Sequence, residues 1–355
     1  MTEESKLAIW LSLGSALLAW FCTVLVLKVS PRVGLLDRPN ERSSHTRVTP
    51  RGGGIGIVVA WIIGVVGYIV LRESESLANG PIITFLTTAL LIASVSFYDD
   101  FCSVRVGIRL IVQIACAVAI VVAIGWFSNF NIGNVFLVGW GGLLITIIWM
   151  VGLTNVFNFL DGIDGIAGAQ GVVAGISWML AGWYLKLGFI SILGALLAGG
   201  CAGFLVHNWS PAKIFMGDVG SAFLGFVFGV LPLIALQELP RDSNPVVIAR
   251  LPVFAVLVVW PFVADGSFTF FRRLVKREPV WKAHRSHLYQ RMVQAGWSHA
   301  AVATYYGLWA IVCSIAGLSL ILGSSTYCVW SVCALFAAMT WALTCRLEHR
   351  KAARG

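Results

Sequence analysis

Runs of about 20 apolar residues follow one another along almost the whole of this chain, and that pattern restricts the fold more than any other feature. A helix needs roughly 20 residues to cross the hydrocarbon of a bilayer, where only helices and closed barrels satisfy their own backbone hydrogen bonds. The runs predict eleven spanning helices, over 7–27, 53–71, 82–98, 108–126, 136–155, 166–185, 188–206, 219–237, 250–271, 300–322 and 326–345. Composition agrees: 58% of the 355 residues are apolar and 12% charged, with a mean hydropathy of +0.86, outside the usage of a water-soluble domain. The first run lacks a small-residue cleavage site and exceeds a signal peptide's apolar core, so a retained helix is expected. The expected fold is an all-α, polytopic bundle forming a single membrane-embedded domain over 1–355.

An odd number of spans puts the termini on opposite sides, and lysine and arginine decide which side is which. Twenty of the 25 basic residues fall on one side, in the segments Lys28 to Arg51, Arg105 to Arg109, Lys213, Arg272 to Arg291 and Arg346 to Arg354; Lys6, Arg72, Lys186, Arg241 and Arg250 fall on the other. The basic side is read as cytoplasmic, with the N-terminus periplasmic and the C-terminus cytoplasmic, in an inner membrane. The formal charge of +9 therefore reflects topology and suits membrane lipids and anionic substrates rather than nucleic acid. The eight cysteines form no CxxC pair and mostly lie within spans, as packing residues do.

Five loops remain on the basic side, 28–52, 98–107, 156–165, 207–218 and 272–299, and almost every unusual polar cluster lies in them. The opposite connections read as short and nearly featureless. Asp99 and Asp100 end the third span; paired carboxylates at a membrane mouth repel one another and imply a cation or a proton-transfer role. Successive helical residues point about 100° apart, so the two acids do different work. Asn155, Asn158, Asp161 and Asp164 recur every three residues, one polar ridge for as long as the segment stays helical. Gly162, Gly165 and Gly168 interleave with the acids and admit a ligand close to the backbone.

The run from His207 and Asn208 through Lys213 and Phe215 to Gly217-Asp218 leads directly into another span. Asp218 suits both a helix N-terminus and a hard metal. Phe215 suits either a nucleobase or an interfacial anchor, and His207 reads as a satisfied interfacial histidine. His284, Arg285, His287 and Arg291 make an anion-binding surface, since guanidinium forks match phosphate oxygens. The hard carboxylates elsewhere favour phosphate over zinc at His284-x-x-His287. Asp265, an acid inside the ninth span, is a site candidate by position; it is expected behind the site, with Arg272 as its partner if the helix bends.

Hard carboxylates, a basic loop and a membrane mouth together describe phosphoryl transfer between a soluble nucleotide-linked substrate and a lipid. The order Asp99-Asp100, NxxNFxDGxDG at 155–165, FMGDxGS at 215–221 and HxxH at 284–287 resembles the polyprenyl-phosphate N-acetylhexosamine-1-phosphate transferases of glycosyltransferase family 4. These include the enzymes that start O-antigen and teichoic-acid synthesis and the phospho-N-acetylmuramoyl-pentapeptide translocase. The resemblance runs from about residue 30 to 295.

It implies transfer of HexNAc-1-phosphate from a UDP-HexNAc to undecaprenyl phosphate, with release of UMP and with Mg²⁺, or Mn²⁺ in its place. By motif position, Asp218 is the metal ligand, and Asp99 the base or the group facing the lipid phosphate, with Asp100 beside it. Asn158 and Asp161 fall in the catalytic cleft; Asp164, Asn208 and Phe215 meet the uridine, with Gly162 and Ile163 lining the same stretch. His284, His287 and Arg285 meet the diphosphate or sugar, and Arg105, Arg109 and Lys213 complete the substrate contacts. A homodimer is compatible with the sequence.

Two departures from the family pattern stand out. Ser103 occupies a place where relatives often carry Lys or Asp, and His-Arg-Ser-His replaces the triple histidine of the peptidoglycan enzyme. The second points to O-antigen or related glycans, with UDP-GlcNAc or a 6-deoxy sugar such as UDP-FucNAc or UDP-QuiNAc as donor. A phosphatidyl-type alcohol phosphotransferase is set aside, because its Ala-Arg and its two later, evenly spaced aspartates are missing. A transporter or flippase is the other class; it predicts ionisable groups near the midplane of several spans, whereas these acids cluster at one mouth.

Overall fold

The computed structural model describes residues 3–39, 47–72, 79–127, 129–132, 135–279 and 284–352. Arg42, Lys282 and Arg354, counted above among the basic residues, lie outside the described residues. The helices are α1 (Glu3–Val29), α2 (Gly54–Arg72), α3 (Asn79–Cys102), α4 (Val106–Ile124), α5 (Trp140–Leu160), α6 (Ile166–Leu185) and α7 (Gly188–Asn208). They continue with α8 (Asp218–Glu238), α9 (Pro245–Val258), α10 (Trp260–Val275), α11 (Leu288–Gln294), α12 (His299–Ile321) and α13 (Thr326–Ala352). Two small antiparallel ladders join them, β1 (Leu36–Asp37) with β2 (Thr49–Pro50) and β3 (Asn129–Ile132) with β4 (Val135–Val138). Among the described residues ten helices are long and apolar enough to cross a membrane, or eleven if α9 and α10 count as one bent span. The chain is an integral membrane protein built from helices, as its apolar runs predict.

Burial sorts the helices. In α8, 94% of the most apolar stretch is buried, against 17% in α1; a helix apolar on all sides belongs inside the bundle, and α8 is its axis. Helices α2, α3, α5 and α9 surround it. Lipid supplies no hydrophobic drive for helix pairing, so close backbone approach through small residues matters more. At Gly199 and Gly203 of α7 a Cβ would lie 2.0 Å from the carbonyl oxygens of Ser12 and Ala16 on α1. At Gly54 of α2 it would lie 2.4 Å from the Cα of Gly220 on α8, and this brings together the helix starts that build the site.

Four sequence expectations are corrected. The ninth span is not one helix: it turns by 74° between α9 and α10, where Val259 adopts φ −120° and ψ 14° and Pro261, in the first turn of α10, has no N–H to continue the α9 hydrogen-bond ladder. The fifth span starts at Trp140, not 136, because 135–138 pairs as β4; the connection at that end is therefore not featureless. Helix α5 runs through Leu160, so the segment from 156 is helical for five more residues. The long basic loop contains a helix of its own, α11.

Candidate functional site

Asp218 is the first residue of α8, and its position is set from α3. Asp100, with its side chain fully buried, accepts the backbone N–H groups of Asp218 and Val219 at 2.9 and 3.2 Å. It thus satisfies two of the donors that every helix start leaves open. Gly217 makes this possible: its φ is +77°, and a Cβ there would lie 2.7 Å from Asp100 Oδ2. Arg51 then bridges the two carboxylates, its Nη2 lying 2.8 Å from Asp100 Oδ1 and 2.5 Å from Asp218 Oδ1. Arg109 does the same between Asp99 and Asp218, 3.1 Å from Asp218 Oδ2, and Asp99 Oδ1 also accepts the Val104 N–H at 2.5 Å. Burial opposes the charge of Arg51, but Asp218, Asp100, Asp37 and Asp161 outweigh it and hold its pKa above the usual arginine value.

Asp161 caps the end of α5 beside this group. Protein crowds its carboxyl, and that desolvation, reinforced by Asp218 and opposed by Arg51, raises its pKa well above the usual carboxylate range. Asn158, one turn back on α5, donates to Ser221 Oγ of α8 at 3.2 Å. The four acids at 99, 100, 161 and 218 thus interact as one group, crossed by two guanidiniums.

The polar ridge read from the three-residue spacing is cut when α5 ends. Asn155 turns to Gln113 of α4 at 2.6 Å. Asp164 braces neighbouring segments, accepting Ala212 N–H at 3.2 Å and lying 3.2 Å from His299 Nδ1 of α12. Burial would raise its pKa, but the bonds from His299 and Ala212 hold it below the usual value. Asn208 is a brace as well, accepting Gly165 N–H at 3.0 Å and donating to Ile214 O at 2.9 Å. Ile163 is buried. Phe215 is half-buried, its N–H donating to Pro50 O and its carbonyl accepting Gly53 N–H. Lys213 and Arg105 are exposed, the latter at the N-cap of α4. His207 is not the satisfied histidine expected: both ring nitrogens are buried without a hydrogen-bond partner among the described residues, and the ring lies 5.9 Å from that of Trp20.

The basic loop approaches from the other side. Gly162 leaves room for Tyr289 of α11, whose hydroxyl would lie 2.0 Å from a Cβ there and donates to Phe159 O at 3.0 Å. His284 and His287 sit 5.0 Å apart, ring to ring, and Arg285 is half-buried between them in sequence. Burial, then the positive neighbours His287, Arg273 and Arg272, push the pKa of His284 down to about 4, so it is neutral at neutral pH. Asp265 does not pair with Arg272: it binds His287, Leu288 and Tyr289, while Arg272 donates to Ser286 O at 3.1 Å.

Sequence reasoning missed Arg51, which it counted only as one of many cytoplasmic charges; the signal was its place in Thr49-Pro50-Arg51-Gly52-Gly53-Gly54, where special backbone residues crowd one cation. Tyr289 and His299 were also missed. Among the described residues no three metal-ligating side chains converge. Mg²⁺, however, is commonly held by one or two carboxylates plus substrate phosphates and water, and the oxygen donors of Asp218 and its neighbours fit that chemistry.

Carboxylates and guanidiniums thus cluster at one end of a membrane-embedded helical bundle. Residues 82–236, from α3 into α8, match the model of glycosyl transferase family 4. It is 29% identical over 318 residues to a Bacillus subtilis protein named as a probable undecaprenyl-phosphate N-acetylglucosaminyl 1-phosphate transferase, covering 86% of this chain and 83% of that one. It is 27% identical over 334 residues to the decaprenyl-phosphate N-acetylglucosaminephosphotransferase of Mycobacterium tuberculosis, covering 86% and 81%. With the phospho-N-acetylmuramoyl-pentapeptide-transferase of Latilactobacillus sakei it shares 28% over 285 residues, covering 75% and 82%.

Proposed function

We propose that this chain transfers HexNAc-1-phosphate from a UDP-HexNAc to undecaprenyl phosphate at the cytoplasmic face of a bacterial inner membrane. The observation that carries this reading is the grouping of Asp99, Asp100, Asp161 and Asp218 with Arg51 and Arg109 at the ends of five helices, α2, α3, α4, α5 and α8. The names of the relatives support polyprenyl-phosphate sugar-phosphate transfer, and the excess of basic residues at this end supports a cytoplasmic orientation.

In this mechanism an oxygen of the lipid phosphate attacks the β-phosphorus of the donor. The bond from that phosphorus to the oxygen bridging it to the α-phosphorus breaks, and UMP leaves. Asp99, facing the lipid phosphate, takes its proton as general base, which leaves the oxygen ionised for attack. Arg51 and Arg109 swing from carboxylate to phosphate oxygens, for which their forks are equally suited. Asp218, with Asp100 and Asp161 as its acidic neighbours, would hold Mg²⁺, and the ion would supply charge neutralisation for phosphate oxygens. His284, His287 and Arg285 hold the diphosphate or sugar, and Phe215 and the loop at Gly162 to Asp164 face the uridine. The His-Arg-Ser-His run favours a donor other than the muramoyl pentapeptide, namely UDP-GlcNAc or a 6-deoxy-HexNAc, and a role in starting O-antigen or a related surface glycan.

The test is to incubate purified protein with undecaprenyl phosphate, Mg²⁺ and a panel of UDP-sugars, then weigh the lipid product. A lipid of the mass of undecaprenyl-diphospho-HexNAc is expected. No such product with any UDP-HexNAc would overturn the reading and favour a transporter.

A further inference from the structure

His287 is held by a carboxylate from another helix. Asp265 of α10 is fully buried, yet five donors reach it. Its Oδ1 lies 2.9 Å from Leu288 N, 3.1 Å from Thr269 Oγ1 and 3.2 Å from His287 Nδ1; its Oδ2 lies 2.7 Å from Tyr306 Oη and 3.1 Å from Tyr289 N. The two backbone amides can only donate. An ionised carboxylate is acceptor-only and satisfies all five at once, whereas a protonated one would have to turn its own O–H onto a group better placed to donate. The ion is the form that fits, so Nδ1 of His287 carries a proton and donates it inward. His284 is built the opposite way: its Nδ1 faces the Ser286 N–H at 3.4 Å and the Ser286 hydroxyl at 2.9 Å, and as an acceptor it leaves its proton on Nε2.

We propose that Asp265 is a positioning residue for donor binding, which fixes His287 with Nδ1–H turned inward, so that the imidazolium formed against the charge of a nucleotide sugar presents Nε2–H to its diphosphate. Carboxylate partners of this kind set the tautomer and ring orientation of a histidine whose other nitrogen does the work. The surroundings place that ring at the acidic mouth. Phe159, at the end of α5, is 6.3 Å from it, and Tyr289, whose hydroxyl binds Phe159 O, is 5.9 Å away. Asp265 thus ties α10, α11 and α12 together, and Tyr306 gives α12 a part in the site although the family match ends before it. The ligand's identity rests on the proposed function; the geometry does not.

The experiment is a double-mutant cycle on the full chain in nanodiscs, with UDP-GlcNAc and UMP as probes in calorimetry and ¹⁵N-histidine NMR as a second readout. Asp265→Asn and His287→Gln should each weaken UDP-GlcNAc binding about tenfold, the scale of one hydrogen bond to a charged group. The double variant should bind no worse than His287→Gln, because Asp265 acts through His287. The NMR spectrum should show one histidine with a protonated, hydrogen-bonded Nδ1, lost in His287→Gln and altered in Asp265→Asn. Multiplying losses in the cycle, or an unchanged Nδ1–H signal in Asp265→Asn, would overturn the proposal. If Asp265→Asn does not fold, the comparison of wild type with His287→Gln decides: a bare Nδ1 on His287 overturns it. Wild-type protein that binds neither nucleotide but shows the Nδ1–H signal would instead count against the functional reading and leave the positioning role standing.

Discussion

Two buried carboxylates, Asp100 and Asp265, do the same mechanical job at opposite sides of the site. Each accepts the first backbone N–H groups of a helix from another part of the chain, α8 in one case and α11 in the other. Each thereby fixes a side chain that the proposed chemistry uses, Asp218 or His287. They differ in what else they bind. Asp100 shares Arg51 with Asp218, so substrate phosphates that compete for the guanidinium change its charge balance. Asp265 is surrounded by neutral hydroxyls and amides besides His287, and among the described residues no arginine pairs with it. One end of the site is therefore held by exchangeable ion pairs and the other by a fixed hydrogen-bonded frame. The proposed binding, turnover and release of a charged nucleotide would use both.

The largest effect expected is at Asp218. Asp218→Asn keeps size and removes a full charge and a hard ligand, so turnover should vanish while the protein stays folded; more than about a tenth of wild-type activity, a barrier change under ~1.4 kcal/mol, would sink its assignment. Next comes Asp99→Asn, expected to lower kcat by ~10²–10⁴ with little change in donor KM. Loss of activity at every pH, together with lipid-independent exchange of labelled UMP into UDP-sugar by the wild type, would point to a covalent mechanism instead.

Gly217→Ala attacks the exchangeable side through its backbone. With φ at +77° and Asp100 Oδ2 2.7 Å from the new methyl, strain of about 1–3 kcal/mol should lower the melting temperature and dislodge Asp218. An unaltered melting temperature would show that Asp100 does not lock the start of α8.

The smallest effect is on the fixed side. His284 binds a proton only near pH 4 when folded but near ~6.5 when unfolded. The unfolded chain therefore takes up the proton first, and stability, complete above about pH 6.5, falls as pH drops toward 4. Wild type should lose more melting temperature between pH 7 and 5 than His284→Gln does. Parallel curves would refute a neutral, crowded His284.

How much of this was legible depended on whether partners are neighbours in sequence. Asp99-Asp100, Asn158 to Asp164 and Gly217-Asp218 announce themselves because several polar residues interrupt an apolar run together. Asp265 stands alone in its span, and apart from Thr269 its partners lie 22 or more residues on; spacing suggested Arg272, which packing sends elsewhere. Arg51 was hidden among charges that membrane topology alone explains. The start of α5 was misplaced because Val135 to Val138 is as apolar as a helix, although Gly133-Asn134 is a hairpin signal. That Asp164 and Asn208 brace loops could not be read from residues 44 apart.

The central claim concerns which phosphorus moves, and isotopic labelling follows it directly. UDP-GlcNAc labelled with ³²P at the β-phosphate should give a labelled lipid, while the same donor labelled at the α-phosphate should give labelled UMP and an unlabelled lipid. Recovery of both labels in the soluble fraction, or a lipid carrying sugar without the β-phosphorus, would contradict sugar-phosphate transfer at this site.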